Sequence, residues 1–224
     1  MSDLIDTTEM YLRTIFELEE EGITALRARI AERLAQSGPT VSQTVARMER
    51  DGLVTLHEDR HLQLTIEGRQ IAEQVMRRHR LAECMLVEML QVPLSQVHEE
   101  ACRWEHVMSE FVESRILELL QRPTHSPFGN PIPGIAESAS VELLSLEKVA
   151  LSLSDGASVH VTVRRLAEPI QHNEAVLAQL FAAGITPGSR VMVTSSNGAV
   201  QCHADSGNCT VDFGSAEAIF VSLG

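Results

Sequence analysis

The order of structural elements is decided around residues 36–53, QSGPTVSQTVARMERDGL. Residues 36–38 have the composition of a tight turn, and Pro39 follows at a position favoured in the first turn of a helix. The apolar residues after it recur at helical spacing: Val41, Val45 and Met48. Gly52 ends the pattern. The stretch therefore predicts a turn and a helix with one apolar stripe, whose other faces are polar.

The flanking residues extend this pattern in both directions. Residues 7–20 have the periodicity of an amphipathic helix, and residues 27–34 form a second, shorter one before the turn. Residues 53–56 and 62–65 alternate around a polar turn and predict a hairpin. The order helix, helix, turn, helix, hairpin is that of a winged helix-turn-helix, which we place at residues 1–65.

The next segment, residues 66–134, is strongly helical. Thr65 can cap a long helix that continues to about Leu90, and Pro93 breaks it. Ser95 can cap a following helix that we expect to continue to about Leu120. Its apolar face carries Val97, Ala101, Trp104, Met108, Phe111, Val112 and Leu119. Two such helices expose more apolar surface than they can cover themselves, so we expect self-association.

After a linker at residues 135–147, short apolar runs separated by turn residues predict a small β-barrel at residues 148–224. The expected strands are residues 149–153, 159–166, 191–194, 200–203, 210–213 and 219–223. A helix at residues 173–183 interrupts them. The predicted class is α+β, with three domains.

Composition limits the possible functions. The 224 residues carry a formal net charge of −13, which at first argues against nucleic acid. Residues 27–50, however, hold five arginines and two acidic residues, so the predicted helix-turn-helix is locally basic. No apolar run reaches the ~20 residues of a membrane span, and the acidic N-terminus lacks a signal-peptide pattern, so we expect a cytoplasmic protein that does not contact membranes. The four scattered cysteines indicate free thiols, not a disulfide framework.

The helix after the turn offers side chains suited to a DNA major groove. Gln43 can pair with an adenine edge, and Arg47 and Arg50 can reach guanine or phosphate. The other expected contacts are Pro39, Thr40, Ser42 and Thr44 on this helix, Arg27 and Arg29 on the preceding one, and Arg60 on the wing. We also include Ala28 and Ser37 from the same stretches. The alternative is a helix hairpin whose polar face is simply solvated.

The helical segment concentrates residues that bind transition metals. His79 and Glu83 are four residues apart, as are His98 and Cys102, so each pair shares a helix face. Glu105, His106 and the more distant Met10 complete the group. His98 lies about 6 Å along its helix from Cys102, which favours two sites, one with His79, Glu83 and His98 and one around Cys102. The mixed donor types favour Fe(II), Co(II), Ni(II) or Zn(II) over Mg or Ca.

The alternative without metal binding is a helix with surface histidines and glutamates and a buried cysteine. A weaker group, Cys202, His203 and Cys209, lacks a fourth ligand, so we assign it to packing or loops. The isolated histidines His57, His61, His125 and His160 receive no functional role.

Several long stretches resemble the diphtheria toxin repressor and iron-dependent regulator family. They are residues 3–14 (DLIDTTEMYLRT), 26–32 (LRARIAE), 37–53, 101–109 (ACRWEHVMS) and 126–134 (SPFGNPIPG). The resemblance covers the first ~134 residues almost without gaps, and the rest only weakly. It implies a homodimer, with two dimers per operator as one arrangement, that binds palindromic DNA when loaded with Fe(II). The regulated genes would serve iron uptake and homeostasis, and the third domain would be an SH3-like barrel.

The resemblance also implies ligand sets. The activating site would use Met10, Cys102 with its carbonyl, Glu105 and His106. The ancillary site would use His79, Glu83 and His98, completed by Glu168 and Gln171, although Pro169 departs from the pattern. Beside it an anion pocket would hold Arg80, Ser126 and Asn130. We expect two Fe(II) ions per subunit, with Co(II), Ni(II), Zn(II) or Mn(II) able to replace them in vitro, and we expect metal to order the first few residues.

Three alternatives remain open. A manganese sensor of the same family would place carboxylates where this chain has Met10 and Cys102, and Mn(II) prefers oxygen ligands. A metal-dependent hydrolase needs an open coordination position and a general base, which leaves too few ligands beside Glu105. A metal store or chaperone would give the helix-turn-helix no purpose. We therefore expect no enzyme and no catalytic residues.

Overall fold

The computed structural model describes residues 7–135, 143–154, 156–196 and 198–223. The first few residues, which we expect metal to order, and most of the predicted linker lie outside them. The elements of the N-terminal part are α1 (Thr7–Glu20), α2 (Arg27–Arg33), α3 (Gly38–Arg50), β1 (Val54–Leu56) and β2 (Leu62–Leu64). The predicted order of elements is confirmed there, and β1 and β2 pair as an antiparallel hairpin.

Local chemistry explains where α3 begins. Ser37 is its N-cap, and the Ser37 hydroxyl accepts a hydrogen bond from the Thr40 amide at 3.3 Å. Pro39 occupies the first turn, where the missing N–H costs nothing. The predicted stripe of Val41, Val45 and Met48 is fully buried. The opposite face of α3 is consequently left to solvent.

The middle of the chain contains one more break than predicted. Its helices are α4 (Ile66–Glu88), α5 (Leu94–Trp104) and α6 (Glu110–Leu119). The prediction of one helix from Ser95 to about Leu120 is wrong, and the N-cap of α5 is Pro93. Ser109 caps α6 instead, accepting from the Val112 amide at 3.3 Å, so a new helix starts after a turn at residues 105–109. The break places Glu105 and His106 in the turn.

The C-terminal part is built on one antiparallel sheet. Its strands are β3 (Leu144–Ser145), β4 (Ser158–Leu166), β5 (Arg190–Ser196), β6 (Ala199–Ala204), β7 (Gly207–Asp212) and β8 (Ile219–Leu223). Their order across the sheet is β3-β8-β4-β5-β6-β7. The helices between them are α7 (Leu146–Ser152), α8 (Glu168–Gln171), α9 (Glu174–Ala182) and α10 (Phe213–Glu217). The predicted strand at residues 149–153 is wrong, because α7 occupies it and is capped by Ser145. The sheet begins at β3, inside the predicted linker.

Two hydrophobic cores hold the chain together. One joins α1, α2, α3 and the hairpin to the first half of α4, with Tyr11, Ile30 and Met76 fully buried. The other runs without interruption from the second half of α4 through α5 and α6 into the sheet. Phe128 and Ile132, from the Pro/Gly-rich loop, are completely buried within the second core. The loop thereby fastens the sheet to the helices, beside the residues expected to bind metal.

Candidate metal centre and DNA interface

The predicted metal ligands come from five parts of the fold. Met10 lies on α1, His79 and Glu83 on α4, and His98 and Cys102 on α5. Glu105 and His106 occupy the turn after α5, and Glu168 and Gln171 lie on α8, next to the sheet. Packing of α4 against both α1 and α5 brings these elements to one place.

The histidines of α4 and α5 form a buried cluster with Glu83. His79 Nε2 lies 3.0 Å from Glu83 Oε1, and His98 Nδ1 lies 3.7 Å from the same oxygen. The His79 and His98 rings meet edge to face, with centroids 4.9 Å apart. All three side chains are essentially inaccessible to solvent. Three of the five residues of the expected ancillary site are thus adjacent.

The residues expected at the activating site line a cavity of about 290 Å³. Met10 contributes from α1, and Cys102, Glu105 and His106 contribute from α5 and the turn that follows. The two expected sites are not separated in space, because His79 Nδ1 lies 2.6 Å from Glu105 Oε2. Cys102 Sγ likewise lies 3.5 Å from His98 Nε2. The ligand-type side chains form one continuous cluster.

Two side chains of α1 that the sequence analysis does not single out also belong to this cluster. Arg13 Nη1 donates to both oxygens of Glu105, at 2.6 and 2.8 Å, and lies 3.4 Å from Cys102 Sγ. Glu9 Oε2 pairs with His106 Nδ1 at 2.6 Å. The helical spacing of Arg13 from Met10 was an available signal, since Arg13 is three residues further along α1 and shares its face. Glu9 directly precedes Met10, and its spacing from Met10 gives no such signal.

The positive side chains in the cluster determine its ionisation. Burial opposes charge on Cys102, but Arg13 and the two histidines outweigh it and lower the pKa of the thiol to about 4. Burial likewise opposes charge on Glu83, yet His79 and then His98 bring the pKa of its carboxyl to about 2. At neutral pH the cluster therefore holds a thiolate and carboxylates, which are the protonation states that bind metal. Burial opposes charge on His98, but Cys102 and Glu83 raise the pKa of its imidazole to about 9, so an ion has to displace a proton there.

One atom in the cluster lacks a partner. Glu83 Oε2 is buried and has no hydrogen bond, although a buried carboxylate oxygen left unsatisfied is costly. The ligating atoms of His79, His98 and Cys102 also lie within 4.8 Å of one another. Buried imidazole, thiolate and carboxylate groups suit a borderline transition metal. The donor set therefore fits a divalent ion of this class.

Both residues predicted from α8 reach the cluster. Gln171 Oε1 accepts a hydrogen bond from His98 Nδ1 at 2.9 Å. The carboxylate of Glu168 is held by Arg80, whose Nη2 lies 2.7 Å from Glu168 Oε1. Burial opposes ionisation of Glu168, but Arg80 lowers the pKa of its carboxyl to about 2. A third residue of this segment, His172, places Nε2 3.0 Å from His98 Nε2 and is not singled out by its spacing.

The expected anion-binding residues are occupied by protein groups. Arg80 is fully buried, and its guanidinium also pairs with Glu20 and donates to the Pro131 carbonyl. Ser126 accepts from a backbone amide of its own loop, and Asn130 Nδ2 donates to the Leu166 carbonyl at 2.8 Å. An anion at Arg80 would have to replace one of these carboxylates. The anion pocket stays a prediction.

The expected DNA contacts lie on one polar surface. On α3, Pro39, Thr40, Ser42, Gln43, Arg47 and Arg50 are exposed, and Thr44 is half-buried. Ser37, Ala28 and Arg29 are also exposed, as is Arg60 at the tip of the hairpin, while Arg27 is half-buried. Arg47 Nη2 lies 3.3 Å from the Thr8 hydroxyl, which links α3 to the start of α1. The arrangement leaves the polar face of α3 open.

The weaker group of possible ligands, Cys202, His203 and Cys209, lies on β6 and β7 of the C-terminal sheet. Cys202 and Cys209 face each other across β6 and β7, and both are free thiols. His203 pairs with Asn208 at 3.0 Å in the same hairpin.

Within the described ranges, none of the helices has the length and hydropathy of a membrane-spanning segment.

Comparison with known families matches three consecutive parts of the chain. Residues 3–62 match "Iron dependent repressor, N-terminal DNA binding domain" and residues 65–134 match "Iron dependent repressor, metal binding and dimerisation domain". The chain belongs to the iron-dependent repressor family. Residues 153–223 match the FeoA domain, in agreement with the predicted SH3-like barrel. As a member of this family the repressor is a metal-dependent transcriptional regulator, not an enzyme, and it carries DNA-binding and dimerisation domains.

Individual relatives agree with this assignment. The repressor is 55% identical over 204 residues to "Iron-dependent repressor IdeR" of Mycobacterium leprae, which covers 88% of this chain and 87% of that protein. It is 54% identical over 202 residues to "Diphtheria toxin repressor" of Corynebacterium efficiens, covering 89% and 88% of the two chains. Among solved structures, a "Manganese-dependent transcriptional repressor complex with manganese" superposes with a TM-score of 0.80 at 28% identity, over 97% of this chain and 100% of that one.

Proposed function

We propose that this protein is an Fe(II)-activated repressor of iron-uptake and iron-homeostasis genes that binds palindromic operators as a dimer. The observation that carries the proposal is the cavity shared by α1 and α5. In it Met10, from the DNA-binding part, lies with Cys102, Glu105 and His106 from the helical part. Relatives that are more than half identical to this chain are named as iron-dependent or diphtheria toxin repressors.

The proposed ligands fall into two sets, for two ions per subunit. Met10, Cys102, Glu105 and His106 would hold the activating ion, and His79, Glu83, His98, Glu168 and Gln171 the ancillary one. Co(II), Ni(II), Zn(II) and Mn(II) would replace Fe(II) in vitro, because affinity alone discriminates poorly among these ions. When bound, the activating ion supplies positive charge and coordination bonds that link α1 to the end of α5.

The link between α1 and α5 matters for DNA binding because it joins the DNA-binding part to the helical part. Met10 belongs to α1, which shares the core of the DNA-binding part with α2 and α3, whereas Cys102 belongs to the helical segment proposed to dimerise. Two DNA-binding domains fit successive major grooves only near a spacing of about 34 Å. Fixing α1 against α5 would favour the population with that spacing. Arg13 would have to release Glu105, since its guanidinium holds both carboxylate oxygens.

We further propose three domains, predicted at residues 1–65, 66–134 and 148–224. The linker predicted at residues 135–147 is shorter than this, because β3 begins inside it at Leu144. Direct base contacts would come from Gln43, Arg47 and Arg50, on the exposed face of α3. The remaining DNA-facing residues would contact phosphate and set the register. Two dimers on one operator remain part of the proposal.

A manganese-responsive repressor is the second candidate, favoured by the similarity to a solved manganese-dependent repressor. Thioether and thiolate donors argue for iron, because Mn(II) prefers oxygen ligands. The identity to that protein is 28%, compared with 55% for the IdeR relative. Iron is therefore the stronger candidate.

The test is a mobility-shift titration of metal-stripped protein on an inverted-repeat duplex, comparing anaerobic Fe(II) with Mn(II). We expect no specific shift without metal and a shift at lower concentration of Fe(II) than of Mn(II). Met10→Ala should weaken the Fe(II)-dependent shift, whereas Met192→Ala, which removes a half-buried methionine in β5, should not. Equal DNA binding by metal-stripped and loaded protein would refute the proposal.

A further inference from the structure

We infer that His98, Cys102 and His172 form a further metal site, suited to a thiophilic ion of tetrahedral preference such as Zn(II). This site differs from the two ligand sets proposed above. It takes one residue from each of them and adds His172, which neither contains. It also connects α5 to the segment following α8 instead of connecting α5 to α1.

The two distances from His98 to the other donor atoms are close to those around a tetrahedral ion. With Zn–N bonds of about 2.0 Å and Zn–S bonds of about 2.3 Å, tetrahedral ligands lie about 3.3 Å apart for two nitrogens and about 3.6 Å apart for nitrogen and sulfur. In the structure His98 Nε2 lies 3.0 Å from His172 Nε2 and 3.5 Å from Cys102 Sγ. Small movements of the side chains would admit an ion between them.

The orientation of His98 is fixed from its other side. Gln171 Nε2 donates to the Leu166 carbonyl at 2.8 Å, so the amide oxygen of Gln171 faces His98. That oxygen accepts from His98 Nδ1 at 2.9 Å, so Nδ1 keeps its proton and Nε2 is the nitrogen left to bind an ion once it is deprotonated. Metal-binding histidines characteristically donate their second nitrogen to such an acceptor. Nε2 of His98 faces Cys102 and His172.

The two remaining ligands are placed by their local structure. Cys102 is one turn after His98 on α5, so both face the same side. His172 ends α8 as its C-cap residue and lies at the open edge of the cavity that also holds Cys102. Its exposed position gives an ion a route from solvent. His79, whose ligand atom lies within 4.8 Å of those of His98 and Cys102, is available as a fourth ligand.

An ion in this site would compete with the two Fe(II) ions that we propose for each subunit. His98 and Cys102 cannot serve both arrangements at once, and Met10 is not part of the new site. The first equivalent of Zn(II) would thus fasten α5 to the barrel side of the cavity. The inference needs metal binding by this cluster but not activation by Fe(II).

The experiment titrates metal-stripped, reduced, full-length protein with Zn(II) against a chromophoric chelator, and with Co(II) under visible spectroscopy, without DNA. We expect a first equivalent with a thiolate-to-Co(II) charge-transfer band and intense tetrahedral d–d bands. His172→Gln should lose the d–d intensity and weaken the first Zn(II) equivalent at least about tenfold, because losing a group that only orients a ligand already costs about 10–100-fold in affinity. His160→Gln, an exposed histidine of the same barrel, is the control and should match the wild type.

X-ray absorption of the one-equivalent zinc complex provides a second measurement. It should show one sulfur and at least two imidazole nitrogens, and His172→Gln should lose one imidazole. Unchanged spectra and affinity in His172→Gln would overturn the inference and leave only a hydrogen bond between two histidines. Failure of the Fe(II)-dependent mobility shift would refute the proposed function alone, because these readouts contain neither iron nor DNA.

Discussion

The carboxylate of Glu105 is shared by three basic side chains. Arg13 donates to both of its oxygens, His79 Nδ1 lies 2.6 Å from one and His106 Nε2 lies 3.1 Å from the other. Burial opposes ionisation of Glu105, but Arg13 and then His79 hold the pKa of its carboxyl well below the ordinary value. Internal cations thus neutralise the group that we propose as a metal ligand.

Replacing Arg13 should show how strongly the stability of the buried Glu105 carboxylate depends on the Arg13 guanidinium. Arg13→Gln leaves Glu105 and Glu17 without their buried partner, so we expect the free energy of unfolding of metal-free protein to fall by about 3 kcal/mol. Added Fe(II) should restore part of it by neutralising Glu105. Urea denaturation measures both. Arg115→Gln, which removes an exposed pair with Glu118, should change stability by less than about 1 kcal/mol. An unaltered midpoint for Arg13→Gln would contradict the role assigned to the guanidinium.

At the scale of elements, the positions of α4 and α5 decide the site. The N-terminus of α4 lies directly on the chain entering the hairpin, since a Cβ added at Gly68 would meet the Leu53 carbonyl oxygen at 2.0 Å. Thr65 reinforces the junction by capping α4 and by donating its hydroxyl hydrogen to the Gly52 carbonyl at 2.7 Å. The close contact at Gly68 sets where α4, with His79 and Glu83, leaves the DNA-binding part.

A methyl group at Gly68 should therefore disturb this junction. We expect Gly68→Ala to lower the free energy of unfolding by about 2 kcal/mol, because backbone must move to admit it. Thermal and urea unfolding of Gly68→Ala would be compared with the unfolding of Gly38→Ala. Gly38 lies at the start of α3, where an added Cβ meets nothing within 4 Å. That control should stay within about 0.5 kcal/mol of the wild type. Equal stability of the two variants would show that α4 tolerates displacement here.

Considered as a whole, the described chain has two cores and an apolar surface that neither covers. Phe111 on α6 is 76% exposed. Other large apolar side chains exposed in the helical part are Ile66, Met89, Leu90, Val107, Val112 and Leu119. Exposed patches of this kind mark association surfaces. They lie in the segment matched by the family's dimerisation domain.

Placing a charge on this surface should separate the subunits. We expect Phe111→Glu to raise the dimer dissociation constant at least about tenfold, because burying an unpaired carboxylate opposes association. Sedimentation velocity over a concentration series measures the effect. Leu151→Glu on α7, where the parent side chain is 62% exposed on the barrel, serves as the control and should leave the dimer intact. A Phe111→Glu protein as dimeric as the control would move the interface elsewhere.

The sequence by itself determined the helix-turn-helix and the identity of most ligand-type residues. Helical periodicity, the turn at residues 36–38 and the His79–Glu83 and His98–Cys102 spacings are local, so they are readable without long-range contacts. The prediction of one helix through residue 120 failed because it overlooked the cap at Ser109. The strand prediction at residues 149–153 failed because an apolar run alone does not distinguish a strand from a buried helix.

Only the tertiary structure decided how the ligands meet. Arg13 is 92 residues from Glu105, and His172 is 74 residues from His98, so no spacing rule links them. Their approach depends on the packing of α1, α4, α5 and the sheet around shared cores. The charge balance inside the cluster follows from that burial, because the interior magnifies interactions that solvent would screen.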